Sequence, residues 1–385
     1  MGYPEVKRIE IPRWGNFYFS RKYDEEKIEN LLSEARMIYN SLIDIPILPK
    51  VFDQLEQDVV RRSIPGTAAI EGNPLSEERV GEILSNPSTV DKSNPTEIEI
   101  KNLDWAYDTI KEMTSEMNQP DEKLICSIHE TILFGIDNLN YSQPYRTGRV
   151  KVGDKNHGGT YNPPYNLKDI NNLMNEFLLF IHSYELVNLD PVIRAALAHF
   201  HFGLIHPFED GNGRTARIVE AILIKLGNII FFPTALSNYY YKHVDEYYWA
   251  FSLARKNKQR DITPFIEFVL KGVIEVLEEI KSNVTSYIRE LALREFYIQL
   301  RQGREITQRQ YDLLDMLLHE PRQFSFADLY NGKPFDMLYR GVTERTARRD
   351  LRKLLSKELL YRKENNIYTL NVEVLDLSYY QKKLT

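Results

Sequence analysis

The chain has 385 residues, a formal net charge of −6 and one cysteine, Cys126. This balance gives no global argument for nucleic-acid or membrane binding, and a single cysteine excludes an internal disulfide and is typical of a reducing cytosol. No segment resembles a signal peptide or reaches the ~20 apolar residues of a membrane span, so we expect a cytoplasmic protein of two or three domains.

Helical periodicity dominates from Glu25 to Leu300, which predicts a mainly α-helical fold. The first distinctive motif is Thr67-Ala-Ala-Ile-Glu71-Gly72. Taken alone, it favours a short helix that ends at Gly72 and leaves Glu71 in solvent. Residues 86–95, rich in Asn, Ser and Pro, predict an internal loop.

Residues 145–153 alternate in the manner of a short strand, and glycine and proline turns follow at 158–159 and 162–164. The pattern predicts a small β-hairpin. On its own it is typical of an ordinary surface hairpin.

Two helices are predicted around residues 206–217. Asp190 and Pro191 provide a start signal for the first helix. The second repeats apolar residues at helical spacing from Thr215 to Leu226 and stops at Gly227. The segment between them, His206-Pro-Phe-Glu-Asp-Gly-Asn-Gly-Arg-Thr-Ala-Arg217, is therefore expected to form a tight loop and the beginning of the second helix.

This loop contains the groups of an anion site. A helix start has unpaired N–H groups and partial positive charge, which attract phosphate. Gly211 and Gly213 allow positive φ and a close backbone approach. Arg214 and Arg217, one turn apart, can contact phosphate oxygens with their guanidinium forks.

Asp210 offers an oxygen ligand for Mg²⁺, and His206 can accept a proton near neutral pH. Each part also has a common structural explanation: a packed or capping histidine, an ordinary turn, or a solvated pair of arginines. The combination favours attack of a hydroxyl on a nucleotide phosphorus. Zinc is not expected, because His199, His201 and His206 do not share one helical face.

Further along, Tyr239–Arg255 is rich in tyrosine, and helical aromatics of this kind are commonly core residues. After residue 303 the sequence predicts a helix over Thr307–His319, a short element over Ser325–Tyr330, a basic amphipathic helix from Thr343, and two strands over Leu359–Arg362 and Asn366–Leu370.

Residues 206–217 match every defined position of His-Pro-Phe-x-(Asp/Glu)-Gly-Asn-(Gly/Lys)-Arg-x-x-Arg, and the chain thereby resembles the Fic-domain family over about residues 15–275. The resemblance implies that His206 deprotonates a target hydroxyl and that Asp210 holds Mg²⁺ against the phosphates of ATP. It also implies a phosphate cradle made of five motif residues, Gly211, Asn212, Gly213, Arg214 and Arg217. Most members transfer AMP to a Ser, Thr or Tyr hydroxyl and release pyrophosphate.

Further roles follow from the same resemblance. The predicted hairpin corresponds to the family's flap, which pairs with an extended target segment and is formed here by Arg146, Thr147, Gly148, Arg149 and Val150. Tyr247 and Tyr248 correspond to its adenine side. Gly213, where some members have a lysine and transfer phosphate instead, favours AMP transfer.

Thr67-x-x-x-Glu71-Gly72 resembles the family's inhibitory motif. Pairing of Glu71 with Arg217 would keep the guanidinium from the γ-phosphate and misplace ATP for in-line attack. In some relatives the same glutamate helps to remove AMP, and this alternative stays open. Family members often form dimers, so a homodimer is also a candidate assembly.

The C-terminal elements resemble a winged helix-turn-helix domain, whose third helix would bring four arginines to DNA phosphates, Arg345, Arg348, Arg349 and Arg352. A solvated face or a protein contact would explain the same charges.

We therefore expect an N-terminal helical region with the inhibitory motif (1–100), a Fic helical bundle with a small flap (101–275), a linking helix (276–302) and a winged-helix domain (303–385). The expected activity is autoinhibited AMP transfer from ATP to a target protein or to itself. The alternative is a DNA-binding regulator with a nucleotide-sensing module, and phosphate transfer is a third interpretation.

Overall fold

The computed structural model describes residues 2–112, 119–136, 144–230 and 233–376. It divides into two compact units, Met1–Lys281 and Ser282–Thr385, and the division falls within one long helix. Helices dominate the described residues, so the mainly α-helical prediction is confirmed. None of these helices combines the length and apolar character needed to cross a bilayer.

The first unit begins with a hairpin of two antiparallel strands, β1 (Val6–Ile11) and β2 (Gly15–Ser20), in which Val6 faces Ser20. The helices that follow are α1 (Glu25–Ile43), α2 (Pro49–Ile70), α3 (Glu77–Ser85), α4 (Pro95–Glu112), α5 (Glu122–Leu133), α6 (Leu167–Ile181), α7 (Tyr184–Val187), α8 (Pro191–Ile205), α9 (Asn212–Leu226), α10 (Leu236–Lys242) and α11 (Val244–Lys256). The long helix α12 (Thr263–Gln302) comes next.

The sequence analysis assigned no structure to the hairpin, although its signals are present. Residues 9–11 alternate in polarity, and Gly15 takes a positive φ of 124° where the chain reverses. The hairpin matters for the site, because the ring of His201 on α8 contacts the backbone of Ser20 at the end of β2 through its Nε2.

Helix α8 is buried on nearly every side, as expected for an apolar helix at the centre of a bundle. Its predicted start is confirmed, since Asp190 Oδ1 accepts a 3.0 Å hydrogen bond from Val192 N. Helix α9 packs along it and ends at Gly227, also as predicted. The loop over 86–95 is confirmed as the link between α3 and α4, with one 3₁₀ turn over Pro87–Thr89.

One hydrophobic core joins α2, α3, α4, α5 and α9. It contains Ile64 and Ala68 from α2, Leu103 from α4 and Ile222 from α9, each no more than 2% exposed. The end of α2 is thereby fixed against the start of α9, and this brings Thr67 and Glu71 to the loop motif.

The second unit contains α13 (Gln308–His319), α14 (Phe326–Asn331), α15 (Asp336–Tyr339), α16 (Glu344–Ser356) and an antiparallel pair of strands, β3 (Leu360–Arg362) and β4 (Tyr368–Leu370). Thr307, Ser325 and Thr343 cap α13, α14 and α16 through their side chains. These elements confirm the predicted helices and strands. The short helix α15 was not predicted.

Candidate active site

His206 ends α8 in the left-handed conformation (φ 50°, ψ 60°), with its N–H donating to the Phe202 carbonyl at 2.9 Å. This conformation turns the chain out of the helix. Burial, strengthened by the charge of Arg146, lowers the pKa of His206 to about 4. The imidazole is therefore neutral at physiological pH, which is the state that accepts a proton.

Asn212 holds the loop between α8 and α9. Its Oδ1 accepts from Phe208 N at 2.9 Å, and its Nδ2 donates to the Phe208 carbonyl at 2.8 Å. Phe208 is buried and stacks on His129 with ring centroids 3.6 Å apart. The sequence predicts Asn212 in the phosphate cradle, but its side chain is committed to Phe208, so only its backbone is left for that role.

The two glycines of the motif serve different needs. The predicted positive φ is confirmed for Gly211 (φ 77°), which caps the N-terminus of α9. For Gly213 this expectation was wrong, because it lies in the first turn of α9 with helical backbone. Its requirement is space, since a Cβ there would lie 2.2 Å from Glu71 Oε1 and 3.1 Å from Arg217 Nη1.

Asp210 and Arg214 form an ion pair at the mouth of the loop, with Arg214 Nη2 2.9 Å from Asp210 Oδ2. Burial acts to raise the pKa of Asp210, but the charge of Arg214 and the hydrogen bond from Gly211 N outweigh it and the pKa is lowered. The carboxylate is therefore ionised at neutral pH. Arg214 itself is buried, and its other terminal nitrogen lies 2.5 Å from Glu99 Oε1.

Glu99, on α4, was missed by the sequence analysis. Its second oxygen accepts a 2.8 Å hydrogen bond from Asn73 Nδ2, and Asn73 also donates to the Thr96 carbonyl. A glutamate in a helical run carries no sequence signal for such a contact. It connects the residue just after Gly72 to Arg214, and so fixes the segment that follows α2.

Arg217 is buried, and two of its three guanidinium nitrogens bind the end of α2. Its Nε donates to Thr67 Oγ1 at 2.7 Å, and its Nη2 donates to the Thr67 carbonyl at 3.2 Å and to Glu71 Oε1 at 2.7 Å. Burial acts to lower the pKa of Arg217, but the Glu71 charge outweighs it and raises the pKa. Glu71 caps the C-terminus of α2, and Gly72 follows with φ 90°.

Four of these residues line a cleft of about 290 Å³, whereas Asp210, Gly211, Asn212 and Arg214 are not among its lining residues. Glu71, His206, Gly213 and Arg217 line one side of it, and the side chains of α11 line another. Such a volume is at the lower end of the range for small-molecule sites. Because the Glu71 carboxylate lies inside the cleft, it occupies part of the space beside the start of α9.

Tyr247 and Tyr248 both line the cleft. Tyr247 is 7% exposed, stacks on Tyr240 with centroids 5.3 Å apart, and places its hydroxyl 3.0 Å from His199 Nε2. It is therefore a core residue with one edge in the cleft. Tyr248, the other tyrosine that lines the cleft, is only half-buried.

The predicted flap lacks regular strands in the described residues. Residues 144–161 form a loop with one antiparallel bridge, between Val152 and Tyr161. Three of its glycines have positive φ, Gly153, Gly158 and Gly159, and Pro163 and Pro164 have no N–H to donate. The strand prediction over 145–153 was therefore wrong, although Val152 and Tyr161 keep the hairpin pairing.

Among the residues assigned to the flap, which we expected to be available to a target, Arg146 is the most buried. It is 2% exposed, and its guanidinium donates to the carbonyls of Gly148, Pro164 and His206 at 2.6–2.8 Å. It joins the loop to His206 instead of meeting a target. Thr147 and Arg149 are exposed, and Gly148 and Val150 are half-buried.

His157, another residue missed by the sequence analysis, ties the loop to α11. Its Nδ1 lies 2.8 Å from Asp154 Oδ2 and its Nε2 lies 2.8 Å from Asp245 Oδ1. The two carboxylates raise the pKa of His157, with Asp154 contributing most. The loop is thus fixed over the cleft by a histidine that also lines it.

The two histidines within α8 have separate partners. His199 pairs with Glu220 at 3.0 Å, whereas His201 bonds Ser20. Across residues 2–112, 119–136, 144–230 and 233–376, no group of three or more metal-ligating side chains converges.

In the second unit, three of the four predicted arginines share a surface groove. Arg345, Arg349 and Arg352 line it together with Lys353. Arg348 does not: its Nη2 lies 2.6 Å from Glu344 Oε1, and its guanidinium lies 4.0 Å from the centre of the Phe326 ring. Its role as a DNA contact stays a prediction, and its position on α16 directs it to α14 instead of the groove.

Comparison with known proteins finds similarity in the first unit. The Fic/DOC family model matches residues 119–224. The protein named "Protein adenylyltransferase Fic" from Aedes aegypti is 30% identical over 251 residues, which are 64% of this chain and 46% of the relative. The protein of that name from Nematostella vectensis is 29% identical over 273 residues, 69% and 58% of the two chains. The chain thus spans about half the length of the curated relatives it matches.

Solved structures share the fold. A Fic family protein from Desulfovibrio desulfuricans G20 matches with a TM-score of 0.53 at 21% identity, over 89% of this chain and 95% of that chain. Fic-1 (residues 134–508) from C. elegans matches with a TM-score of 0.55 at 20% identity, over 68% and 74% of the two chains. The chain therefore shares the fold of these solved Fic family structures, and its residues 119–224 match the Fic/DOC family model.

Proposed function

We propose that this chain is a protein adenylyltransferase, which moves AMP from ATP to a Ser, Thr or Tyr hydroxyl and releases pyrophosphate. The observation that carries the proposal is the meeting of a neutral imidazole, His206, with the start of α9 and Arg217 at one cleft. The names of the relatives from Aedes aegypti and Nematostella vectensis support it. The full motif over residues 206–217 speaks against a degenerate nucleotide sensor.

In the proposed reaction, the hydroxyl oxygen of the target attacks the α-phosphorus of ATP while its proton passes to a ring nitrogen of His206. The new oxygen–phosphorus bond forms as the bond from the α-phosphorus to the bridging oxygen breaks, and pyrophosphate leaves. The proton on His206 is then released to solvent. The low pKa of His206 keeps the ring ready for the next turnover.

The start of α9 would hold the phosphates. Backbone N–H groups at a helix N-terminus and the charges of Arg214 and Arg217 favour an anion there. Gly213 supports this role, since the absence of a side chain allows close approach to the backbone. Tyr247 and Tyr248 of α11, which line the cleft, would contact the adenine.

Asp210 fits the role of a magnesium ligand. Its side chain is 62% exposed, and its two oxygens each accept one hydrogen bond, from Gly211 and from Arg214, which leaves lone pairs for a cation. One carboxylate plus nucleotide phosphates is a common donor set for Mg²⁺. The ion, when bound, supplies charge neutralisation to the triphosphate.

The end of α2 would act as an inhibitor of the reaction. Arg217 is already satisfied by Thr67 and Glu71, and the Glu71 carboxylate would repel a γ-phosphate at the same position. ATP could then enter only in a pose unsuited to in-line attack. Removal of the carboxylate frees both the guanidinium and the space beside Gly213.

The test is incorporation of label from ATP into protein. We expect Glu71→Gly to raise α-label incorporation at least tenfold over wild type, and His206→Ala in that background to abolish it. Glu78→Gly, which removes an exposed carboxylate without an ion pair in the described part of the chain, is the matched control and should behave as wild type. Label from the γ-position would indicate phosphate transfer instead, and equal activity of wild type and Glu71→Gly would refute the inhibitory role.

A second candidate activity, DNA binding, is favoured by the groove on α16. Arg345, Arg349, Arg352 and Lys353 line it, and no carboxylate among the described residues is within ion-pair distance of their charges. Such a cluster suits phosphates, and the predicted winged-helix order would place α16 in a major groove. A gel-shift with genomic fragments should lose affinity on Arg349→Ala and keep it on Arg340→Ala, an exposed arginine paired with Asp336.

The two activities can be separated in one set of measurements. DNA binding without any AMP incorporation, even by Glu71→Gly, would support a regulator with a nucleotide-sensing module. AMP incorporation without DNA binding would support the enzyme alone, with the arginine groove serving a protein contact.

A further inference from the structure

A second cleft lies beside the active-site cavity. It has a volume of about 170 Å³. Its walls come from β2, from Tyr161, from the ends of α8 and α11, and from the loop between α11 and α12. Tyr161 and Arg255 line both cavities. A polypeptide that presents one side chain to His206 could therefore place a neighbouring side chain in the second cleft.

This cleft is built by fixed contacts. The Ser20 hydroxyl donates to the Arg260 carbonyl at 2.6 Å, while His201 Nε2 lies 3.1 Å from Ser20 N and 2.8 Å from the Ser20 carbonyl oxygen. At the other wall, Trp14 Nε1 donates to the Asn162 carbonyl at 3.0 Å, and the Trp14 ring meets the Tyr161 ring edge-on. The N-terminal hairpin, the loop and α8 thus hold the cleft in one shape.

The two charged side chains that line the second cleft, Arg255 and Arg260, are both positive. The Arg260 guanidinium lies 3.8 Å from the centre of the Tyr18 ring, and that of Arg255 lies 5.4 Å from the centre of the Tyr161 ring. Neither has a carboxylate partner within the described residues, and no Asp or Glu lines the cleft. Stacking on aromatic rings orients the planar groups and leaves their N–H forks to bind an anion.

The two cavities share the lining residues Tyr161 and Arg255, so an extended acceptor segment could reach both. In such a segment, side chains two residues apart project from one face about 7 Å from each other. The bridge between Val152 and Tyr161 marks backbone that already has strand pairing beside the cleft. A segment that runs along it could bring a hydroxyl to the cavity and an acidic side chain to the arginines.

We propose that this second cleft is a specificity subsite for a carboxylate side chain of the acceptor polypeptide, with Arg260 as its main ligand. This inference rests on the proposed AMP transfer to protein. Arg260 lines only the second cleft, whereas Arg255 also lines the active-site cavity, so Arg260 is the residue that separates target choice from nucleotide binding.

The experiment uses the full chain with Glu71→Gly and a set of alanine-rich twelve-residue peptides. Each contains one Tyr, Ser or Thr and one Glu placed one to four residues to either side, and each has a twin with Gln instead of Glu. We expect at least a tenfold higher kcat/KM for the Glu peptide at one spacing. Arg260→Ala should reduce this ratio to about one, Arg260→Lys should keep part of it, and Arg260→Glu should shift the preference to a Lys peptide.

Lys258→Ala, an exposed cation on the same loop, is the matched control and should leave the ratio unchanged. Equal rates for every Glu and Gln pair, or a preference that survives Arg260→Ala, would overturn the subsite while AMP transfer stands. If no peptide is labelled, the result contradicts AMP transfer to peptides and does not bear on the subsite. Fluorescence anisotropy of fluorescein-labelled Glu and Gln peptides then measures their binding to the wild-type chain directly. Tighter binding of the Glu peptide that Arg260→Ala removes supports the subsite. Equal binding of the two peptides overturns it.

Discussion

Gly213 has a structural requirement set by one neighbouring carboxylate. A Cβ at this position would lie 2.2 Å from Glu71 Oε1 and 3.2 Å from its Cδ, which are atoms at the mobile end of a side chain. Glu71 can move away, but in doing so it loses its 2.7 Å hydrogen bond to Arg217. The same glycine therefore serves both the inhibitory contact and, in the proposed mechanism, the approach of phosphate.

We predict that Gly213→Ala raises AMP incorporation above wild type, because the added methyl group displaces the Glu71 carboxylate from Arg217. The increase should be smaller than that of Glu71→Gly, since the displaced carboxylate stays close to the phosphates. Incorporation of α-labelled ATP measures it. Gly81→Ala is the control, because a Cβ at this helical glycine has nothing within 4 Å.

The double variant Gly213→Ala/Glu71→Gly separates two effects of the methyl group. Activity equal to that of Glu71→Gly would mean that the phosphate cradle tolerates alanine. A Gly213→Ala single variant as inactive as wild type, beside an active double variant, would contradict the steric argument.

At the scale of elements, the position of α2 controls Thr67 and Glu71. Gly66 lets this helix approach α10 closely, since a Cβ there would lie 2.9 Å from Asn238 Cα and 3.1 Å from the Ser237 carbonyl. These are backbone atoms, so relief requires α2 or α10 to move. The helix already contains Pro65, which removes one of its own hydrogen bonds.

We predict that Gly66→Ala lowers the free energy of unfolding by about 1–3 kcal/mol, the usual cost of overpacking, and raises AMP incorporation because Glu71 shifts with α2. Thermal unfolding and the label assay measure the two effects. Gly81→Ala again provides the control. A stable variant with wild-type activity would show that α10 yields instead of α2, and would refute this account of how the inhibitory helix is placed.

Local patterns account for what the sequence predicted. Asp190, Thr307 and Thr343 act through hydrogen bonds to residues two or three positions away, so the sequence alone identifies those helix starts. The motif over 206–217 is equally local. The predicted strand at 145–153 failed because alternation there competes with glycines in positive φ and with carbonyl groups bound by Arg146.

The contacts that the sequence could not predict are between distant segments. Glu99 meets Arg214, Asn73 meets Glu99, and His157 meets Asp245. Each needs the packing of α2, α4 or α11 to bring its partner close, and no periodicity encodes it. The second cleft is of the same kind, since its arginines and tyrosines come from four separate parts of the first unit.

At the scale of the whole molecule, each compact unit has a hydrophobic core of its own. In the first, Ile64, Leu103 and Ile222 belong to one cluster, and in the second, Leu313 and Leu354 belong to another. Each cluster draws its residues from one side of the division near residue 281. Separate cores permit separate cooperative unfolding, with a ligand or a substitution acting only on the unit that contains it.

We predict two thermal transitions in scanning calorimetry. ATP with Mg²⁺, added to Glu71→Gly, should raise only the transition of the first unit, because the proposed nucleotide site lies there. Leu354→Ala removes a side chain that is 0% exposed and should cost the second unit about 2–5 kcal/mol, which lowers its transition by about 8 °C or more. Val372→Ala, at an exposed position of the same unit, should change neither transition. A single transition that both ATP and Leu354→Ala displace would mean that the long helix α12 makes the two cores unfold as one.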